Sequence, residues 1–265
     1  MLKIAIWLKA FRLRTLPLSL SGIILGSGIA KQAGYWDTEI FVWSMTTTIL
    51  FQILSNLAND LGDHQKGADN EQRVGPKRST QSGEITPAQM KTAVGLFTLL
   101  SIVSAGLLIF TASQYLEPEV IWVYIGLGAA SIAAAILYTM GKKAYGYHGL
   151  GDVMVFLFFG LVSVLGVYGL YAQTLDWWNL WPALGIGVFS TGVLNLNNLR
   201  DNVNDKAVGK NTLVVKMGFD KGKIYQSALI LIGMLAFGIF LSGFAGWAYL
   251  PMIFCVPLFF HLQRV

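Results

Sequence analysis

Long apolar runs alternate with short polar connections along the chain, and the runs are too long to be buried strands. Eight such runs cover 16–33, 40–57, 92–113, 120–141, 151–171, 180–199, 224–244 and 245–262, the last two joined almost directly through "SGFAGWAY". A helix of about 20 apolar residues crosses the hydrocarbon core of a bilayer. Hydrocarbon offers no partner to a free N–H or C=O, so each run must satisfy its backbone internally, as a helix. Ten-residue segments of alternating hydropathy are absent, which excludes an outer-membrane barrel. The pattern predicts an all-α, polytopic transmembrane bundle forming one domain over 1–265. "TPAQM" at 86–90 predicts a helix start, with Thr86 as cap and Pro87 in the first turn. The basic opening "MLKIAIWLKAFRLRTLP" is followed by no small-residue cleavage site and reads as an uncleaved amphipathic lead-in.

Composition agrees with this pattern. The 265 residues are 54% hydrophobic and only 12% charged, about half the charge of an ordinary soluble chain. The single cysteine, Cys255, cannot form an intrachain disulfide, and inside an apolar run it reads as core packing.

Charge then orients the spans. Lys3, Lys9, Arg12 and Arg14 precede the first run. The second connection carries Lys66, Arg73, Lys77, Arg78 and Lys91, and the fourth carries Lys142 and Lys143. The sixth holds Arg200, Lys206, Lys210, Lys216, Lys221 and Lys223, and Arg264 lies in the tail. With eight spans these all fall on one side, and only Lys31 falls on the other. The positive-inside rule makes the crowded side cytoplasmic, in a cell (inner) membrane. Trp36, Trp122, Trp177, Trp178, Trp181 and Trp247 sit toward the opposite side as an interfacial belt. The net charge of +5 is accounted for by topology and anionic lipid, or by an anionic substrate handled on this face. A nucleic-acid partner is not expected.

Acid is concentrated where two spans emerge on that face. Asn56, Asp60 and Asp63 stand at i, i+4 and i+7 if the second helix runs on, with Asn59 and Asp69 nearby. Asn197, Asp201 and Asp205 stand at i, i+4 and i+8 at the end of the sixth, beside Asn198. Clustered carboxylates repel unless a cation compensates them or some are protonated. Their ligand atoms are all oxygen, with no Cys or His among them, which suits Mg²⁺ rather than Zn²⁺. Mg²⁺ typically takes one or two carboxylates together with phosphate oxygens. Nearby Arg and Lys side chains suit the remaining oxygens of a diphosphate. Two other readings remain: ordinary solvated loops, or a cation-binding transporter, although transport acids usually lie mid-helix.

These residues resemble the UbiA superfamily of intramembrane aromatic prenyltransferases over nearly the whole length. The resemblance lies in "LRTLPLSLSGIILG" at 13–26, "NLANDLGDHQKGAD" at 56–69, "RVGPKRSTQSGEIT" at 73–86, "LYTMGKKAYGYHGLGDVMVFLFFG" at 137–160 and "NNLRDNVNDKAVGKNTLVVKMG" at 197–218. The last two are similar to the branch that prenylates 1,4-dihydroxy-2-naphthoate in menaquinone biosynthesis. The resemblance implies a helical bundle around a central cavity. Nine helices are expected for the family, so the last falls beyond the eight runs found here. It implies transfer of a polyprenyl group from an allylic diphosphate to that acceptor, with loss of CO₂ and diphosphate, giving demethylmenaquinol. It implies two Mg²⁺ ions, with Mn²⁺ able to substitute, held by Asn56, Asp60, Asp63, Asn197, Asp201 and Asp205; the four aspartates are the catalytic set. Diphosphate contacts are expected from Arg12, Lys66, Arg78, Lys142 and Arg200. Substrate-pocket positions are Asn59, Asp69, Tyr138, Thr139, Tyr145, Asp152 and Asn198. Asp152 is equally readable as a helix N-terminal cap. Tyr145 and Tyr147 are readable as interfacial anchors or as ring faces for a developing cation. Leu13 replaces a proline that family members carry. The other acceptors open to this fold are 4-hydroxybenzoate, homogentisate, haem and chlorophyllide.

Overall fold

A computed structural model describes residues 3–71, 74–172, 174, 176–244 and 246–262. Arg73, Ala245 and Arg264, given places in the sequence reading, lie outside the described residues, as does the side chain of Cys255. Among the described residues every regular element is helical. α1 spans Lys3–Phe11, α2 Leu16–Gln32, α3 Thr38–Gln65, α4 Pro87–Ala112 and α5 Pro118–Leu137. α6, Gly151–Val155, passes through a π-helical stretch, Phe156–Gly166, into α7, Val167–Ala172. α8 is Leu180–Ala207, α9 Leu213–Met217 and α10 Phe219–Ser242; a 3₁₀ run, Gly246–Phe254, then leads into α11, Cys255–Leu262.

Each apolar run falls on a helix, and the lead-in adds α1 as a further helical element. Among the described residues six helices are long and apolar enough to cross a membrane: Ile4–Gln32, Thr38–Gln65, Pro87–Tyr115, Pro118–Leu137, Gly151–Ala172 and Phe219–Ser242. α8 has 28 residues, about 42 Å of helix, but its last turns are polar. The eighth run is not one straight α-helix. Pro251 lies inside its 3₁₀ run, where a missing N–H prevents a continuous ladder.

Two departures from the apolar runs matter for the site. α3 and α8 continue about two turns beyond their apolar residues, to Gln65 and Ala207, carrying the acids on ordered helix. α5 stops at Leu137 rather than at 141. Its chain turns there because Thr139 Oγ1 donates to Ala58 O at 3.1 Å and lies 3.2 Å from Asn59 Oδ1, both on α3. α4 begins as expected, with Thr86 and Gln89 forming a reciprocal capping box ahead of Pro87.

Small residues bring the spans close. A Cβ added at Gly160 would meet the Gly187 Cα at 2.6 Å, and one at Gly26 would meet the Val164 carbonyl at 2.6 Å. α2, the π-helical stretch and α8 therefore pack almost backbone to backbone, as small residues allow in membranes. At one end of the bundle α1, α3 and α4 share an apolar cluster around Leu54, Leu57, Leu61 and Met90. The basic connections meet at this same end. Lys9 pairs with Glu84 at 2.9 Å, Lys66 Nζ donates to Gly141 O at 2.9 Å, and Lys216 Nζ donates to His148 O at 2.6 Å. At the opposite end Trp36 stacks on Tyr171 with ring centroids 6.2 Å apart, beneath Lys31 at 4.9 Å from the Trp36 ring.

Candidate active site

The first acidic helix delivers its side chains as its spacing predicts. Asn56, Asp60 and Asp63 occupy one stripe of α3 and all three are buried. Asp60 is ion-paired with Arg12 and lies 3.5 Å from Arg78 Nη1. Asp63 Oδ2 is 2.8 Å from Arg78 Nη1, and its Oδ1 accepts from the Tyr147 hydroxyl at 2.8 Å. Arg78 reaches a third acid, Asp69, through Nε at 3.1 Å, and donates to Asn59 O at 2.9 Å. Burial pushes the Arg78 guanidinium toward neutrality, but Asp63 and Asp69 outweigh it and hold its pKa above the ordinary value. Burial likewise raises the Tyr147 phenol, with Asp63 adding to it, so its proton stays in the bond to Asp63.

Arg12 reaches Asp60 from an unusual backbone. It is the one non-glycine residue with positive φ among the described residues, at φ 51° and ψ 53°. That conformation costs an L-residue about 1–2 kcal/mol. α3 holds the turn in place: Asn56 Nδ2 donates to Phe11 O at 3.0 Å and to Thr15 Oγ1 at 3.2 Å, and Gln52 Nε2 donates to Thr15 Oγ1 at 3.1 Å.

The second helix supplies Asp205, buried, with Oδ1 3.9 Å from Lys210 Nζ. The same ammonium stands 3.9 Å from Asp63 Oδ2. Lys210 thus lies between carboxylates from the two acidic segments. Asp201, its side chain 12% exposed, pairs with its neighbour Arg200, whose Nε and Nη2 lie 2.9 Å and 2.6 Å from its two oxygens.

Both acidic helices end alike. Gly67 and Gly209 take φ of 70° and 73° four residues after Asp63 and Asp205. Ala68 N then donates to Asp63 O at 2.9 Å, and Lys210 N to Asp205 O at 2.8 Å. This is a glycine C-cap used twice. Asn204 Nδ2 ties the two ends together by donating to Ala68 O at 3.1 Å. Its Oδ1 is buried and has no hydrogen-bond partner among the described residues.

Below the acids lies a cavity of about 380 Å³. Arg12, Asn56, Asn59, Tyr138, Tyr145 and Asn197 line its head, and Leu18, Ile23, Phe51, Phe158, Phe159 and Leu170 are among its apolar walls. Tyr138 and Tyr145 meet edge to face, with centroids 5.3 Å apart, and Tyr145 donates to Ala134 O at 2.8 Å. Tyr124 bridges to the π-helical wall, its hydroxyl 2.8 Å from Gly166 O.

Other expected site residues stand elsewhere. Lys66, expected at the diphosphate, donates to Gly141 O and sits 4.4 Å from the Tyr147 ring centroid. Lys142 is exposed. Thr139 is fully buried against α3 and does not line the cavity. Asp152 and Asn198 are buried and also lie outside the lining. Sequence reasoning singles out neither Lys210, one of several basic residues suited to a diphosphate, nor Asn204, nor the Tyr147 hydroxyl. A signal for the first was present: Asp-x-x-x-Gly occurs at 63–67 and at 205–209, so the residue after each glycine is turned back toward its aspartate.

Among the described residues no three Asp, Glu, His or Cys side chains enclose an ion by themselves. The donor set still fits Mg²⁺, which keeps several waters and needs only one or two carboxylates beside its phosphate ligands. Asp60 and Asp63 supply buried carboxylate oxygens, Asp205 faces them across Lys210, and cationic side chains already gather on this spot.

The sequence profile of the UbiA prenyltransferase family matches residues 19–265. A 1,4-dihydroxy-2-naphthoate octaprenyltransferase of Haemophilus influenzae is 41% identical over 263 residues, covering 97% of this chain and 83% of its own. The enzyme of that name from Escherichia coli (strain K12) is 41% identical over 248 residues, covering 92% of this chain and 80% of its own. A UbiA homolog from Archaeoglobus fulgidus, solved bound to GPP and Mg²⁺, shares the fold with a TM-score of 0.67 at 13% identity, covering 98% of this chain and 87% of that one.

Proposed function

The chain belongs to the UbiA prenyltransferase family, and on that premise we propose that it transfers a polyprenyl group from an allylic diphosphate to 1,4-dihydroxy-2-naphthoate. CO₂ and diphosphate leave, and the product is demethylmenaquinol. Two relatives of that name at 41% identity support the acceptor. The observation that carries the reaction class is Lys210, 3.9 Å from both Asp63 and Asp205, together with Arg12, which pairs with Asp60 and lines the head of an apolar cavity. A diphosphate head suits the charged cluster, and an isoprenoid tail suits the cavity.

Asp60, Asp63, Asp201 and Asp205, with Asn56 and Asn197, would hold two Mg²⁺ ions, for which Mn²⁺ can substitute. When bound, the metal neutralises charge collecting on the departing diphosphate.

Arg12 and Arg78 grip the remaining phosphate oxygens as charged hydrogen-bond donors. The allylic C–O bond breaks with its electron pair going to the diphosphate. The Tyr138 and Tyr145 rings line the head of the cavity, where positive charge grows on the allylic carbon. A ring carbon of the acceptor supplies the pair for the new C–C bond. The carboxylate then leaves as CO₂, and its bonding pair restores the aromatic ring. The apolar walls keep water from intercepting the cation. The basic connections gather at the same end as the site, which the positive-inside rule puts at the cytoplasmic face of the inner membrane.

The test is to supply isolated membranes with labelled polyprenyl diphosphate and, separately, 1,4-dihydroxy-2-naphthoate, 4-hydroxybenzoate and homogentisate. The expected result is lipid-soluble label with the naphthoate alone, with one CO₂ released per transfer. Preferential labelling of another acceptor would overturn the assignment.

A further inference from the structure

The cations at the site fall into two kinds. Arg78 is locked: its side chain is 9% exposed and lies within 3.1 Å of Asp63 and Asp69. Lys210 is held loosely. Its ammonium lies 3.9 Å from each of Asp63 Oδ2 and Asp205 Oδ1, beyond hydrogen-bond reach of both, and 5.5 Å from the Tyr147 ring centroid. A lysine head is a compact, hydrated point charge on a flexible stem.

Its backbone, in contrast, is fixed. Gly209 turns the chain, Lys210 N donates to Asp205 O, and the next residue, Asn211, donates from its N to Tyr147 O at 3.1 Å. The stem is therefore anchored while the head can move.

We propose that Lys210 is an exchangeable internal cation. Its ammonium occupies the point between Asp63 and Asp205 until a divalent ion takes those carboxylates, and then swings aside. The inference rests on the metal-dependent reading above and adds the residue that sets how tightly the ion is held. In the resting site it places a positive charge between two buried carboxylates.

Competition for the same oxygens gives opposite expectations for two variants. Lys210→Gln removes the competitor and should tighten divalent binding by about tenfold. Lys210→Arg places a planar, bidentate donor between the carboxylates and should weaken it several-fold. The experiment is titration of the purified full chain with Mn²⁺, without any diphosphate, following free Mn²⁺ by electron paramagnetic resonance. Lys206→Gln is the control. Lys206 adjoins Asp205 but is exposed, with no ion pair among the described residues, so its affinity should stay close to wild type.

Equal affinities for wild type, Lys210→Gln and Lys210→Arg would overturn the proposal. So would equal tightening by Lys206→Gln and Lys210→Gln, which would indicate a diffuse field rather than a seat. If Lys210→Gln fails to fold, Lys210→Arg decides alone: weaker binding supports the exchange and unchanged binding overturns it. A wild-type protein that binds no Mn²⁺ would instead overturn the metal site itself, and this proposal with it.

Discussion

Asp60→Asn keeps the side chain's volume and removes one charge from a position that is 1% exposed. Two partners lose by it. Arg12 loses its ion pair, but its side chain is 21% exposed, so water takes up part of the charge. Arg78 loses only a 3.5 Å contact and keeps Asp63 and Asp69. Breaking a buried pair outright costs about 3–5 kcal/mol. With one partner wetted and the other still compensated, the loss should be about 1–2 kcal/mol. That corresponds to a fall in the melting midpoint of roughly 2–8 °C. Turnover should fall much further. Removing one group that stabilises transition-state charge costs about 2.7–4 kcal/mol, or a factor of about 10² to 10³. The assay is the initial rate of labelled prenyl transfer across a Mg²⁺ titration, run well below the variant's melting midpoint. A rate within threefold of wild type at saturating Mg²⁺ would refute the reasoning, because neither fold loss nor weak metal binding could then conceal the role of Asp60.

Chelation with EDTA should abolish transfer yet leave helical circular dichroism intact and the melting midpoint within a few degrees, since Arg12, Arg78 and Lys210 already compensate the buried acids. Asn204→Ala should raise the Mg²⁺ concentration needed for half-maximal rate several-fold, with a stability loss of about 1–2 kcal/mol, read by kinetics and thermal unfolding together, because it unties the two acidic helix ends. Gly160→Ala should destabilise by about 1–3 kcal/mol, seen as lower yield of folded protein in detergent, because its methyl would press on the Gly187 backbone.

How much of this could be read from the residues depends on how local the determining physics is. The spans were legible because a twenty-residue apolar run has no other outcome in a bilayer. The acidic stripe on α3 was legible because helical spacing alone puts Asn56, Asp60 and Asp63 on one side. What was not legible depends on contacts across the bundle. Lys66 sits three residues from Asp63, yet its partner is a carbonyl 75 residues away. Tyr147 could be taken for a cation-stabilising ring, but its hydroxyl is spent on Asp63, 84 residues earlier. The pairing of α5 with α3 through Thr139, which ends α5 early, also has no local signal. Asp201 and Asp205 look equivalent in sequence. Only the turn at Gly209 and its lysine distinguish the acid that shares Lys210 with Asp63 from the one paired with Arg200.

The π-helical stretch Phe156–Gly166 bears on how the chain tolerates insertion and deletion. Its i→i+5 hydrogen bonding widens the turn, so side chains four or five positions apart share a face. Phe158, Val162 and Gly166 accordingly reach the cavity in register, and Phe159 and Ser163 beside them. Losing one residue here would let the segment tighten toward ordinary helix and rotate every wall position after the deletion out of phase. A homologue one residue shorter in this span would therefore present a different chamber lining, even where its flanking residues align without a gap.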